Sequence, residues 1–492
     1  MRTKIIATIG PASNKKEILK KFIAEGVRIF RLNFSHGSAP DFAQLIKTIR
    51  ALEADLGKPL TILQDLAGPK IRIGQLANDS IAINRGQKVL FGLGASASLK
   101  QPKASPSARK GQQQESRPAP NSCLPLIPFN NKTILQSLEL GDKLDLADGA
   151  LQLEVCGRLN DFLLELKAQN SGVITSRKGV ALPGKPIDLP ALTPQDRKNL
   201  LDGLKLGVDA VALSYVQTAQ DILQARKIIK KAGRNIPIIA KLERAIAIDR
   251  LDEILAATDM VMVARGDLGV ECPLEDLPAA QKHIIRACNQ AARPVIVATQ
   301  MLLSMVRSPK PTRAEVTDVA NAVLDGADCL MLSEETAVGA YPVECVRYMG
   351  KIASNAEGLL FSDDFLIKPM EHHGVPDFLA YCACLLAEKS NAHALVAHSS
   401  SGATARLLSV RQPRHPIYAL TPCQEVVHAL NFCWGVRPCL VPDQSLRQLE
   451  RVENFIENNH LFTKGQAFVI TAGQPKQEKT SSPTNLVKIY IK

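Results

Sequence analysis

One recurring phrase restricts the fold of this chain more than any total does. Gly207-Val208-Asp209-Ala210-Val211-Ala212-Leu213-Ser214 returns as Gly326-Ala327-Asp328-Cys329-Leu330-Met331-Leu332-Ser333, and Ala257-Thr258-Asp259 ahead of the Met260 run echoes it. In each copy an aspartate precedes four or five apolar positions, and the run stops at a polar or charged residue. Runs so short and so uniformly apolar suit strands buried on both faces, the condition of a parallel sheet. Self-similarity of one βα unit is the pattern of a barrel built from equivalent units.

Runs of this character begin at Ile5, Arg28, Leu60, Val208, Ile236, Met260, Val295 and Cys329. Helical periodicity fills the intervals, as over residues 14–25 and 39–56. The expected fold class is α/β: a (β/α)8 TIM barrel from 1–70 and 189–352, an inserted β-barrel lid domain over 71–188, and a C-terminal α/β domain over 353–492. The two barrel portions together approach the ~250 residues usual for that architecture. The insertion alternates apolar and polar residues in L-Q-L-E-V (151–155) and F-L-L-E-L (162–166), with a turn at Asp148-Gly149. An insertion at the carboxyl end of a barrel strand is placed to cover a site there. Its 95–122 stretch, rich in Ser, Pro, Gln and Lys, is expected to be a disordered loop and receives no function. In the last domain a helix over 378–388 precedes strands at 394–397, 417–420, 436–441, 467–471 and 486–491.

The net charge of +12 raises the question of nucleic acid. Part of it is local to 95–122, aromatic residues make up 4% of the chain, and no nucleic-acid module is recognisable. A basic enzyme with anionic substrates is the expectation, without a nucleic-acid partner. The 11 cysteines occur without C-x-x-C or zinc spacing, which suits free thiols in a reducing cytoplasm. Neither a signal peptide nor a membrane span is expected.

Charge collects where the strands end. I-P-I-I-A-K-L-E closes on Lys241 and Glu243, and M-V-M-V-A-R-G-D on Arg265 and Asp267. Parallel sheets carry their ligand-handling groups at the carboxyl ends of strands, and two carboxylates with two cations there can hold a divalent ion and an anion together. Surface salt bridging remains the alternative for any one of these residues. Ser399-Ser400-Ser401-Gly402-Ala403-Thr404, between a strand and a helix, reads either as a phosphate site or as an ordinary helix cap.

Taken in order, the strand ends resemble the pyruvate kinase family. The motifs are R-L-N-F-S-H-G (31–37), D-L-A-G-P-K-I-R (65–72), K-G-V-A-L-P-G (178–184), A-K-L-E (240–243), M-V-A-R-G-D-L-G-V-E (262–271), A-T-Q-M-L (298–302) and P-T-R-A-E-V-T-D-V-A-N-A-V-L-D-G-A-D (311–328). The resemblance implies phosphoryl transfer from phosphoenolpyruvate to ADP, giving pyruvate and ATP in the last step of glycolysis. It implies Mg²⁺ (or Mn²⁺) on Glu243 and Asp267, Lys241 as transition-state stabiliser, and Arg31 on the phosphoryl group. Gly266 and Asp267 would receive the substrate carboxylate, and Thr299 would belong to the proton relay. Asn33, Phe34, Ser35, His36, Arg72 and Lys178 match nucleotide contacts. Ser399, Ser400, Ser401, Gly402 and Thr404 match an effector loop for a sugar phosphate or AMP, in a cytoplasmic homotetramer.

Departures from the family pattern carry their own expectations. Asn33, Ser35, Asp65 and Leu66 match the positions that hold K⁺ in many relatives, which carry Glu where this chain has Lys70. An ammonium there resembles the K⁺-independent branch, so K⁺ is not expected to be required. Ala67, Glu334 and Ala403 also depart, and no effect is assigned to them. Two other readings are a non-catalytic sugar-phosphate or nucleotide sensor and a Mg²⁺-dependent barrel carbon–carbon lyase. Neither explains Lys241, Glu243, Asp267 and Thr299 together with Arg72 and Lys178.

Overall fold

The computed structural model describes residues 1–69, 71–93, 124–147, 149–185, 189–361, 366–442, 448–473 and 484–492. Lys70, Asp148 and the 95–122 loop lie outside the described residues. The chain divides into two compact units, one comprising Met1–Pro69, Pro190–Gly269 and Pro273–Lys492, the other Lys70–Leu189 with Val270–Cys272.

Eight parallel strands close into a barrel in the first unit: β1 (Lys4–Thr8), β2 (Ile29–Asn33), β3 (Thr61–Asp65), β4 (Ala210–Leu213), β5 (Ile238–Leu242), β6 (Met260–Ala264), β7 (Val295–Ala298) and β8 (Cys329–Leu332). Each pairs with its sequence neighbour, and β8 returns to β1 through Lys4↔Cys329. The repeated phrase now has a physical cause. Asp209, Asp259 and Asp328 stand just before β4, β6 and β8, and their carboxylates accept the N–H groups of Ile62, Ile238 and Val295 at 2.7, 2.8 and 3.0 Å. Every second strand thus caps the otherwise unpaired entrance of its predecessor.

Period-two alternation decides what lines the barrel. Ile29, Leu63, Ile239, Met262 and Ile296 meet in one interior cluster. The positions two residues further on are Arg31, Asp65, Lys241, Ala264 and Ala298, so the same parity that builds the core delivers three charged groups to its carboxyl rim.

The C-terminal domain is a five-stranded sheet in the order Val436–Leu440, Ile417–Thr421, Ala394–His398, Ala467–Ala472, Leu486–Ile491, parallel except for the last strand. It follows the helix Pro342–Leu360, which runs unbroken past residue 352. Phe432 of this domain packs into the interior cluster of the barrel, and its carbonyl oxygen lies 3.1 Å from Cys329 Sγ. Beside it, His428 is buried between two barrel carboxylates, Nε2 at 2.7 Å from Glu53 and Nδ1 at 2.8 Å from Asp209, with Arg50 and Gln424 completing the cluster. Burial opposes the imidazolium, but hydrogen bonds to Asp209 and Glu53 prevail and raise its pKa to about 9. A folded-state pKa above the unfolded ~6.5 gives stability that is complete below that value and is lost as pH rises through about 9. His428→Gln is therefore expected to destabilise the protein by on the order of 2 kcal/mol near pH 6.5. Thermal unfolding at pH 6.5 and pH 10 checks this, because the gap between variant and parent should shrink at the higher pH.

The second unit is β-rich. Its ladders form a six-stranded sheet and the antiparallel pair Ser80–Ile83 with Gly172–Thr175, around one core that includes Phe91, Phe129, Leu144, Leu153 and Leu166. Among the described residues no helix is long and apolar enough to cross a membrane.

Candidate active site

Four charged side chains share the carboxyl rim of β2, β3 and β5, all of them buried. Arg31 Nε donates to Asp65 Oδ2 at 2.7 Å, and its other end donates to Thr8 Oγ1 at 2.9 Å. Lys241 Nζ lies 3.2 Å from Asp65 Oδ1 and 2.7 Å from Glu243 Oε1, and donates to Ser214 Oγ at 2.7 Å. Ser214 in turn donates to the carbonyl of Leu66 at 2.7 Å. The backbone N–H of Tyr215 donates to Glu243 Oε2 at 2.8 Å, from a residue at φ 56°. That left-handed backbone on a tyrosine is unusual, and it turns the N–H after β4 toward the carboxylate.

The electrostatics of the cluster sort its members. Burial alone would raise the Asp65 carboxyl, but Lys241 and Arg31 hold it below the ordinary carboxylate range. Burial would likewise lower Lys241, yet Asp65 and Glu243 keep its ammonium charged well above the usual lysine value. Glu243 goes the other way: burial raises it and the charge of Asp267 adds to that, against the relief from Lys241. Two carboxylates whose charges repel, one exposed and one buried, could together offer hard oxygens to a divalent cation. Among the described residues no group of three or more His, Cys, Asp and Glu forms a metal cage.

Thr299 stands immediately after β7, at φ 71°, followed by Gln300 at φ 54°. Its hydroxyl accepts the Gly266 N–H at 2.8 Å and donates to the Ala298 carbonyl at 2.5 Å. The sequence-derived carboxylate donor at Gly266 is thus already engaged by Thr299, which ties the two positions to one spot. Asn33, Phe34, Ser35 and His36 form the turn leaving β2: Asn33 Oδ1 accepts the Ser35 N–H at 3.1 Å, and the Phe34 N–H reaches the Asp65 carbonyl at 2.9 Å. Arg72 and Lys178 belong to the β-rich unit, where Arg72 bridges Gly179 and the Ile73 N–H donates to the Lys178 carbonyl at 2.9 Å.

In the C-terminal domain Ser399, Ser400, Ser401 and Thr404 line a cavity of about 460 Å³ with His398, Gln448 and Thr484. Gly402 takes φ 76°, a conformation that suits glycine and opens the short helix Ala403–Ser409. The Thr404 and Thr484 hydroxyls are 2.8 Å apart.

The sequence reading missed Ser214, Tyr215 and Thr8 as partners of the charged rim. Only Ser214 had left a signal, as the polar terminus of the repeated phrase.

A (β/α)8 barrel with an inserted β-rich unit and a trailing α/β domain, carrying buried Lys and Arg in ion-pair contact with buried carboxylates at its rim, defines the class: a barrel enzyme with a charged site. The family model for the pyruvate kinase barrel domain matches residues 1–106 and 113–346, and that for the pyruvate kinase alpha/beta domain matches 377–490. The chain is 42% identical to a pyruvate kinase of Agrobacterium vitis, over 99% of this chain and 98% of that relative. It is 39% identical to pyruvate kinase 2 of a Synechocystis strain, over 100% of this chain and 79% of that protein. With a pyruvate kinase of Thermotoga maritima it shares 36% identity, over 99% of each. The chain belongs to the pyruvate kinase family, and with it to the phosphotransferases with pyruvate kinase catalysis. That family generally uses Mg²⁺.

Proposed function

We propose that the rim built by Arg31, Asp65, Lys241 and Glu243 is where the phosphoryl group of phosphoenolpyruvate passes to ADP. The observation that carries this reading is the buried Lys241, in contact with Asp65 and Glu243 and within one ion-pair network with Arg31. Phosphoryl transfer asks little covalent chemistry of a protein and much positioning and charge neutralisation. Glu243 and Asp267 would hold Mg²⁺, which supplies charge neutralisation on the transferred group and the enolate oxygen when bound. Lys241 lies against the moving phosphoryl and the developing enolate, its ammonium held charged by Asp65 and Glu243. Arg31 grips the phosphoryl from the opposite wall, with Asp65 fixing its guanidinium. The substrate carboxylate is received at the Asp267 N–H, beside the Gly266 N–H that the Thr299 hydroxyl accepts. Thr299 then orders the water chain that delivers a proton to the enolate carbon. The methylene carbon takes the proton on the π pair of the carbon–carbon double bond and becomes the methyl group, while the enolate oxygen closes the ketone.

Nucleotide contacts are assigned to Arg72 and Lys178 within the β-rich unit and, on the resemblance alone, to Asn33, Phe34, Ser35 and His36 within the barrel unit. The Ser399–Thr404 hydroxyls are assigned to an effector phosphate, on a sugar phosphate or AMP. A cytoplasmic homotetramer with a regulatory C-terminal domain completes the reading.

Lys70 sets the monovalent-ion requirement. Its ammonium charge is taken as the stand-in for the K⁺ that many relatives hold at the positions matching Asn33, Ser35, Asp65 and Leu66. A coupled pyruvate-release assay with phosphoenolpyruvate, ADP and Mg²⁺ tests both statements. Turnover is expected without K⁺, and activation by KCl over matched tetramethylammonium chloride is expected to stay below ~10-fold. Activation beyond that refutes K⁺ independence; absence of turnover with either salt refutes the assigned site.

A further inference from the structure

The Thr299–Gln300 turn places two consecutive non-glycine residues at positive φ, 71° and 54°. Left-handed backbone on such residues persists only where the surroundings hold it. Arg265 is that support. Its buried guanidinium donates from Nη2 to the Thr299 carbonyl at 2.8 Å and lies equally close to Met301 Sδ. From Nη1 it donates to Asp318 Oδ1 at 2.7 Å, with a longer contact of 3.4 Å to Gln281 Oε1. Asp318 sits mid-way along the outer helix Arg313–Leu324, behind the rim, and about a third of its side chain is exposed. It is the charged partner on the far side of the guanidinium from the turn. An arginine fork held by a carboxylate at one end has its other end aimed, and here that end fixes the carbonyl of Thr299.

We propose that Asp318 is a positioning residue for proton transfer: acting through Arg265, it holds the Thr299–Gln300 turn left-handed and so keeps the Thr299 hydroxyl at the Gly266 N–H. This rests on the reading of Thr299 as part of the proton relay. The consequence is selective. Loss of Asp318 loosens the group that orders the proton donor but leaves Arg31, Lys241, Glu243 and Asp267 in place, so protonation of the enolate suffers more than binding of phosphoenolpyruvate.

The test compares Asp318→Asn, Asp318→Glu and Thr299→Val with the parent enzyme. Three readouts are needed: kcat and KM for phosphoenolpyruvate, thermal stability, and exchange of pyruvate methyl protons in D2O with Mg²⁺ and ATP. By microscopic reversibility the exchange reports the same proton transfer run backwards. Asp318→Asn is expected to lower kcat and methyl exchange together by ~10–100-fold with KM for phosphoenolpyruvate within about twofold, since small displacements of a reacting group cost that much. Asp318→Glu should recover most of both rates at unchanged Tm. Equal exchange rates in Asp318→Asn and the parent overturn the inference. So does a loss of rate in Asp318→Asn that follows its Tm and is not recovered by Asp318→Glu. If Thr299→Val abolishes exchange while Asp318→Asn does not, only this inference fails; if Thr299→Val exchanges normally, the relay reading fails and takes this inference with it.

Discussion

A Lys241→Met enzyme is expected to turn over ~10³–10⁵-fold more slowly than its parent, the range that a cation placed on a transferring phosphoryl group commands. KM for phosphoenolpyruvate should change by less than ~10-fold, because the interaction lost is one realised mainly as charge develops. Methionine nearly preserves the volume of the lysine stem, so the effect is one of charge. In the resting protein Lys241 also separates Asp65 from Glu243, with Nζ at 3.2 and 2.7 Å from them. Removing it leaves two buried carboxylates without their shared ammonium, and breaking such a buried pair costs about 3–5 kcal/mol. Rates must therefore be measured well below the lowered Tm of the variant. A kcat within tenfold of the parent, on folded protein, would remove Lys241 from the chemistry.

The second large effect belongs to Glu243→Gln. The amide keeps the shape and can still accept the Tyr215 N–H, but it removes one of two anionic donors and the ion pair with Lys241. Apparent Mg²⁺ affinity is expected to fall by at least ~100-fold, beyond what loss of an outer-shell partner usually costs. Activity at ordinary Mg²⁺ concentration should fall with it and recover in part at high Mg²⁺. An unchanged Mg²⁺ titration would show that the cation is held elsewhere.

Much of the fold was legible because its rules are local. Eight uniformly buried runs, each ending in polarity, predict eight parallel strands, and the barrel contains them. The charged rim was legible for the same reason: Arg31, Asp65 and Lys241 each follow an interior apolar residue at a spacing of two, so strand parity sends them to one end of one cavity. The Asp of the repeated phrase was visible as a pattern, but its role was not, since a carboxylate capping the N–H of a neighbouring strand is a contact between residues 21 to 147 positions apart. The turn at Thr299 was hidden for a different reason. Thr-Gln carries none of the Gly, Asn or Asp chemistry that announces positive φ, and the conformation is imposed by Arg265 and Asp318 from outside the turn. Asp318 itself reads as one more polar position on a solvated helix face. Likewise His428 gives no sign in the sequence that two carboxylates from the barrel enclose it.

Glu243 and Asp267 are proposed to hold one divalent cation beside Lys241. Electron paramagnetic resonance of Mn²⁺, titrated into the parent protein and into Glu243→Gln, measures it without reference to turnover. One bound Mn²⁺ per chain is expected in the parent, and its loss at the same free concentration in Glu243→Gln. Equal Mn²⁺ binding by the two proteins would contradict it.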